Sequence, residues 1–453
     1  MTDLKNFIET NKERFLEELF SLLRIPSVSS KAEHQPDMVK CAERWKELLL
    51  AAGCDKAEVH PTQGAPVVYA EKLLDKNAPT VLVYGHYDVM PVEPLELWKT
   101  PPFEPTIIDG KIYCRGANDD KGQAFMHAKA FEYLVKTNQL TCNVKFMIEG
   151  EEEVGSKNLY GFCEANKEKL KADVILVSDT SMIDSNTPAI TVGLRGVLHA
   201  EIEAIGTERE LHSGLFGGAI ANPLIELCKL IAGMTDENGK VMIQGFYDDV
   251  RDVPQKERFA ISNTPFNEKQ YKQAIGAKIL IGESGFSTME RVGIRPSFEV
   301  TGIYGGHTGA GPKAVIPTKA TAKVSMRIVP NQDYDKIGLL LTKYVNEHTP
   351  ESMKFNVSID HGGTYYLFST DNFAYKAAEK AYQAVYNKTP ILLYSGGTIS
   401  IITEFEKTLG IKSLLMGFGL PSDMIHSPNE NFSLENFVNG IKTIAQFYKF
   451  FAE

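Results

Sequence analysis

Long apolar runs are missing from this 453-residue chain. No stretch is long enough to cross the hydrocarbon of a bilayer. The first ten residues, Met1-Thr-Asp-Leu-Lys-Asn-Phe-Ile-Glu-Thr10, have no apolar core and no small-residue cleavage site, so no signal peptide is expected. Positive charge is in short supply: the formal net charge is −10. That balance argues against nucleic acid or an anionic membrane as the main partner, since both require clustered Lys and Arg. Cysteine is sparse and unpaired in pattern. The six cysteines (Cys41, Cys54, Cys114, Cys142, Cys163, Cys228) show no zinc-knuckle or redox spacing, and read as reduced thiols of a cytoplasmic protein. A metal bound here is expected on nitrogen and oxygen, not sulfur. Internal repeats and low-complexity tracts are also missing.

What is present is ordinary soluble-protein material, 43% hydrophobic and 23% charged, in a chain long enough for two or three domains. Leu4, Phe7, Ile8, Phe15, Leu19 and Leu22 fall at helical spacing over residues 3–23, and Ile25-Pro26 closes that pattern. A second helix is predicted over 36–52, ending at Gly53. Short apolar strands follow at 66–71, 80–85, 143–149 and 173–178, with a helix over 122–137. This alternation predicts an α/β fold with a mixed, mostly parallel sheet covered by helices. Near residue 190 the rhythm changes. Leu198, Ala200, Ile202 and Ala204 alternate with His199, Glu201 and Glu203, and Ala322, Val324, Met326 and Ile328 repeat the habit, so these strands bury one face only. A helix is expected from Asn222-Pro223, then a polar, irregular stretch over 234–300. Residues 192–363 therefore read as an inserted α+β domain. The first domain comprises 1–191 and 364–453, resuming with a helix (371–387), a Gly-rich turn (Ser395-Gly-Gly-Thr398), a strand (412–416) and a last helix (433–451).

Three strands of the first domain stop at potential metal ligands. Val81–Tyr84 leads through Gly85, read as a turn, to His86 and Asp88; Val144–Ile148 leads to the acidic run Glu149-Gly-Glu-Glu-Glu153; Val174–Val177 leads to Asp179. In open α/β sheets, sites form beyond the carboxyl ends of the strands. Each piece has an ordinary explanation. Acidic runs are usually solvated turns, Asp119 and Asp120 could cap the helix that follows, Asp179 could start a turn, and His426 could be a plain loop histidine. Together they supply imidazole and carboxylate ligands of a mix that suits zinc, manganese or cobalt.

Gly85-His-Tyr-Asp88, Gly116-Ala-Asn-Asp-Asp-Lys-Gly122, Glu152-Glu-Val-Gly-Ser156, Ser178-Asp179 and His426-Ser-Pro-Asn-Glu430 resemble, in order and spacing along the whole chain, the motifs of the dinuclear metallopeptidases that include carnosinase, aminoacylase and carboxypeptidase G. Within that family the chain is most similar to the cytosolic dipeptidase branch, through Leu211-His-Ser-Gly-Leu-Phe-Gly-Gly218 and Val324-Ser-Met-Arg-Ile-Val-Pro330. The resemblance implies a catalytic domain holding two divalent ions, zinc first, with manganese or cobalt as alternatives. His86 and Asp179 would hold one ion, Glu153 and His426 the other, and Asp119 would bridge them across a cis Asp119–Asp120 peptide. Asp88 would orient His86, and Glu152 would be the general base for the attacking water. The acidic run alone leaves the register open; Gly155-Ser156 sets it and leaves Glu151 without a catalytic role.

The inserted domain would then be a lid and homodimerisation domain, hinged near 190–195 and 360–366. His212 resembles the residue that reaches the partner subunit's site and stabilises the oxyanion, and Arg327 resembles the clamp for a substrate's terminal carboxylate. The Gly396-Gly397-Thr398 turn would offer donors to the same carboxylate. Ala314 and Ser181 depart from the family pattern at substrate-facing positions, and His307 is a further site candidate. The implied activity is hydrolysis of dipeptides or very short peptides with a free C-terminal carboxylate. An N-acyl-amino-acid deacylase is the alternative, and a catalytically silent metal-binding scaffold is a third reading.

Overall fold

The computed structural model describes residues 2–453, which form two compact units. The first comprises residues 2–192, Phe368–Leu393 and Ser400–Glu453; the second comprises Gly193–Leu367 and Tyr394–Ile399. No helix among the described residues is long and apolar enough to cross a membrane.

The first unit is built on a mixed sheet. Four strands run parallel at its centre, in the order Asn143–Glu149, Thr80–His86, Val174–Val177 and Ser413–Leu415. Val67–Lys72 and then Lys56–His60 extend it antiparallel on one side, and Ala189–Leu194 pairs antiparallel through Thr191 and Leu415 on the other. The central strands are buried on both faces, which explains their unbroken apolar runs. The helix Lys121–Lys136 is buried over nearly its whole length, and it packs against helices Thr2–Leu23, Gln35–Ala52 and Leu434–Phe451. Trp45 and Phe125, ring centroids 6.0 Å apart, mark one such contact.

One local expectation is corrected. Gly85 makes no turn; the strand continues through it to His86. A Cβ at Gly85 would stand 2.6 Å from the Cβ of Ala124, so its bareness lets the buried helix approach the strand end.

The second unit carries a four-stranded antiparallel sheet, ordered Ser297–Gly305, Lys319–Ile328, Gly196–Ile205 and Lys354–Gly363. Leu198, Ile202, Val324 and Met326 form its core with Leu227 and Leu341 of the helices Pro223–Ala232 and Tyr334–Glu347. The first of these helices is capped by Asn222, whose side chain accepts the Leu224 N–H at 3.0 Å. The stretch 234–300 is less irregular than its sequence suggested. It holds helices Gln255–Ser262, Glu268–Ile275 and Thr288–Gly293 of at most eight residues, too short for an apolar period to show.

Candidate metal centre

The four parallel strands of the first unit deliver the candidate ligands at their carboxyl ends. His86 closes its strand, Glu152 and Glu153 open a single turn after Asn143–Glu149, and Asp179 follows Val177 by two residues. Asp119 lies just before the buried helix, joined to Asp120 by a cis peptide. Asp120 sits at the helix N-cap but makes no side-chain cap; its Oδ2 accepts the His86 N–H at 3.2 Å. His426 comes from the loop after Ser413–Leu415.

Two groups of ligand atoms result, His86 with Asp119 and Asp179, and Asp119 with Glu153 and His426; within each, all atoms lie within 4.8 Å of one another. Asp119 belongs to both. Its Oδ1 stands 3.0 Å from His86 Nε2 and its Oδ2 stands 2.9 Å from His426 Nε2. Asp179 Oδ2 is 3.8 Å from His86 Nε2, and Glu153 Oε2 is 3.1 Å from His426 Nε2.

These residues fit a cation. His86 Nδ1 lies 3.1 Å from the carbonyl of Asp88, an acceptor that directs a proton to Nδ1 and turns Nε2 toward Asp119 and Asp179. Nε2 is buried, and Asp119 Oδ1 approaches it to 3.0 Å. Imidazole and carboxylate lone pairs brought this close together suit a bound cation. The electrostatics agree. Burial, with Asp119 and Asp120 nearby, pushes the Asp179 carboxyl well above the usual range. Burial, offset by His86 but reinforced by Asp119 and Glu153, pushes Glu152 up to about 7. Burial opposes charge on His86, yet Asp119 and Asp88 raise its imidazole well above the ordinary value. Hydrogen bonds to Asp119 and Glu153 push His426 up to about 10.

The surrounding residues hold this set in place. The Asp88 carboxylate accepts the N–H groups of Glu152 and Glu153 at 3.2 and 3.1 Å. Glu151 acts as a tether. Its carboxylate accepts from Ala65 N–H at 3.1 Å and from the Asn158 amide at 2.9 Å, tying the Glu152 turn to its neighbours. Sequence reading named Glu149 only as the start of the acidic run and gave it no role of its own; its buried carboxyl accepts from the Tyr84 and Ser156 hydroxyls, each at 2.7 Å. Its only sequence signal was a strand ending in a carboxylate.

The remaining candidates, Ser181 apart, belong to the second unit. His212 is exposed, and its Nδ1 accepts the Gly214 N–H at 3.1 Å, which leaves Nε2 as the proton-bearing nitrogen. Arg327 is half-buried and makes no ion pair among the described residues; its Nη1 donates to Thr398 Oγ1 at 2.8 Å, and that hydroxyl donates to the Arg195 carbonyl at 2.6 Å. The Gly397 N–H is already engaged by Ser395 Oγ at 3.2 Å. Ala314 supports the His212 loop through its carbonyl, which accepts the Ser213 N–H at 3.1 Å. Ser181 lies in the first unit, bridged to Gly419, and His307 stands outside both ligand groups.

The sequence pattern of Peptidase family M20/M25/M40 matches residues 82–449 of this chain, a span that contains every ligand named above. The chain belongs to that family. The peptidase is 33% identical over 466 residues to the Cys-Gly metallodipeptidase of Candida albicans, covering 98% of this chain and 96% of that one. It is 30% identical over 389 residues to the Beta-Ala-His dipeptidase of Homo sapiens, covering 84% and 77% of the two chains. Among solved structures, a metallo-carboxypeptidase of Sulfolobus solfataricus superposes with a TM-score of 0.85 at 34% identity, covering 97% of this chain and 99% of that one.

Proposed function

We propose that this metal-dependent peptidase cleaves dipeptides or very short peptides with a free C-terminal carboxylate, using two divalent ions. The observation that carries the reading is the sharing of Asp119, one oxygen to each ligand group. His86 and Asp179 would complete one ion's ligands, and Glu153 and His426 the other's. A ligand set of nitrogen and oxygen without sulfur suits zinc first, with manganese and cobalt next. When bound, such ions polarise the scissile carbonyl and make water a stronger acid.

The chain's own residues supply the rest. Glu152 sits beside both groups yet belongs to neither, so its carboxylate is free to take the water's proton and pass it to the leaving amine. Asp88 orients His86 and holds the Glu152–Glu153 turn. In the second unit, the Nε2–H of His212 is a donor suited to a developing oxyanion. Arg327 brings an unpaired planar fork for the substrate carboxylate, with Thr398 steadying it and Gly397 beside it. Residues 192–363 would serve as lid and as the homodimer contact. The six cysteines, none in a disulfide, fit a cytoplasmic setting.

The relatives named dipeptidases support this reading over the deacylase alternative. The test is a panel of plain dipeptides against N-acetyl amino acids, with zinc-, manganese- and cobalt-loaded protein and with Glu152→Ala. Turnover of dipeptides that survives Glu152→Ala unchanged would remove Glu152 as the base. Turnover confined to N-acyl amino acids would replace the substrate class.

A further inference from the structure

Asn118, Asp423 and Glu430 lie outside both ligand groups and have no part in the chemistry above, yet all three are buried. Asn118 directly precedes the shared Asp119. Its side-chain amide donates to Asp423 Oδ2 at 2.7 Å, and its backbone N–H donates to Glu430 Oε1 at 3.0 Å. The same Oε1 accepts the Asp119 N–H at 3.1 Å, while Oε2 accepts from Gly116 N–H at 3.1 Å and from Arg115 at 2.7 Å. Two carboxylates, one on each side of His426 in the chain, thus fasten on one residue beside Asp119. The Asn431 N–H closes the base of the loop on the Asp423 carbonyl at 2.9 Å.

The loop needs that bracket. His426 is 50% exposed, whereas His86 is fully enclosed, so packing does little to place it. Its backbone is left-handed (φ 57°), as are Met424 (φ 58°) and Asn429 (φ 68°). Residues other than glycine keep such conformations only where the surroundings over-determine them. Resting on the two-ion reading above, we infer that Asn118, Asp423 and Glu430 are positioning residues that set the ion site of Glu153 and His426 by fixing the His426 loop against Asp119. The site of His86 and Asp179, carried on strand ends, does not depend on the Asp423 contact.

The contact has a chemical signature. Asp423 Oδ2 alone accepts from Asn118 and from Leu420 N–H (2.8 Å), while Oδ1 has no hydrogen-bond partner and faces Lys111 Nζ only at 3.6 Å. An amide keeps the needed acceptor, so Asp423→Asn should act as wild type and Asp423→Ala should not. The experiment is calorimetric titration of the chelator-stripped full chain with Mn²⁺ or Zn²⁺, for wild type, Asp423→Ala, Asp423→Asn and Asn118→Ala. Wild type is expected to take up two ions. Asp423→Ala and Asn118→Ala should bind one with unchanged affinity and the other about 10- to 100-fold more weakly, the usual cost of losing a residue that orients a ligand. Asp423→Asn should keep both. Asn118→Ala, which leaves the Glu430 clamp intact, carries the test if Asp423→Ala does not fold. Wild-type affinities for both ions in the alanine variants, or equal weakening of both ions, would overturn the inference while leaving the two-ion reading standing. A wild type that takes up fewer than two ions would sink that reading, and this inference with it.

Discussion

The Asp88 carboxylate stands 3.3 Å from His86 Nδ1, with both side chains fully enclosed. The same carboxylate accepts two N–H groups of the turn that carries Glu152 and Glu153. With its carbonyl 3.1 Å from the same Nδ1, Asp88 orients the imidazole through backbone and side chain together, and its carboxylate alone holds the turn of the two glutamates. Asp88→Ala is expected to lower both metal affinity and kcat by about 10- to 100-fold. Metal titration beside steady-state kinetics checks this, and a variant unchanged in both would remove Asp88 from the site.

Arg327 predicts a split by substrate. Arg327→Ala should raise KM for dipeptides with a free carboxylate by about 10- to 100-fold, the worth of a charge-assisted hydrogen bond. C-terminally amidated dipeptides, poor substrates to begin with, should lose little further. Lysine should not restore the wild-type value, because it lacks the planar fork that Thr398 steadies. Equal losses on both substrate types would show that Arg327 does not read the carboxylate.

His212 bears on the homodimer. If it serves the partner's site, inactive His212→Ala and inactive Glu152→Ala subunits should regain part of the activity when mixed, since one site of the mixed pair keeps both residues. Activity that stays absent after proven subunit exchange would place His212 in its own chain's chemistry or outside it.

Acid stability should depend on Glu132, whose side chain is fully enclosed in the first unit. Burial opposes its charge, but hydrogen bonds from Arg14 (2.6 Å) and Lys129 (2.7 Å) hold it down from 4.5 to about 2. A carboxyl lowered on folding stabilises the native state above its unfolded pKa, and that contribution is lost as the pH falls through the folded value. The window is therefore about 4.5 down to about 2, and the full effect is at most about 3 kcal/mol. In chemical denaturation across that window, Glu132→Gln should be less stable than wild type near neutrality and approach it toward pH 2. A difference that does not change with pH would contradict the assignment.

Much of this framework was legible in the chain. The unbroken apolar strands and the buried helix followed from periodicity, and the carboxyl ends of three strands pointed to His86, the acidic run and Asp179 before any coordinates. The strand Lys56–His60, patterned weakly, and the short helices of 234–300 were not legible, since neither gives a period long enough to stand out. Gly85 was misread as a turn because a glycine needed for close packing looks, in sequence, like one needed for a bend.

Local pattern and motif order, then, determined the fold class, the family and the types of ligand, because these depend on residues near one another in the chain. The division of the candidate ligands was implied by the resemblance; the tertiary structure alone gave its geometry, with one Asp119 oxygen beside His86 and the other beside His426. It alone gave Glu151 its tie to Ala65 and Asn158, and joined Asn118 to Asp423 and Glu430 across some three hundred residues. The reason is physical. A buried carboxylate must find donors wherever the fold brings them, and that pairing is a property of the packed chain, not of its order.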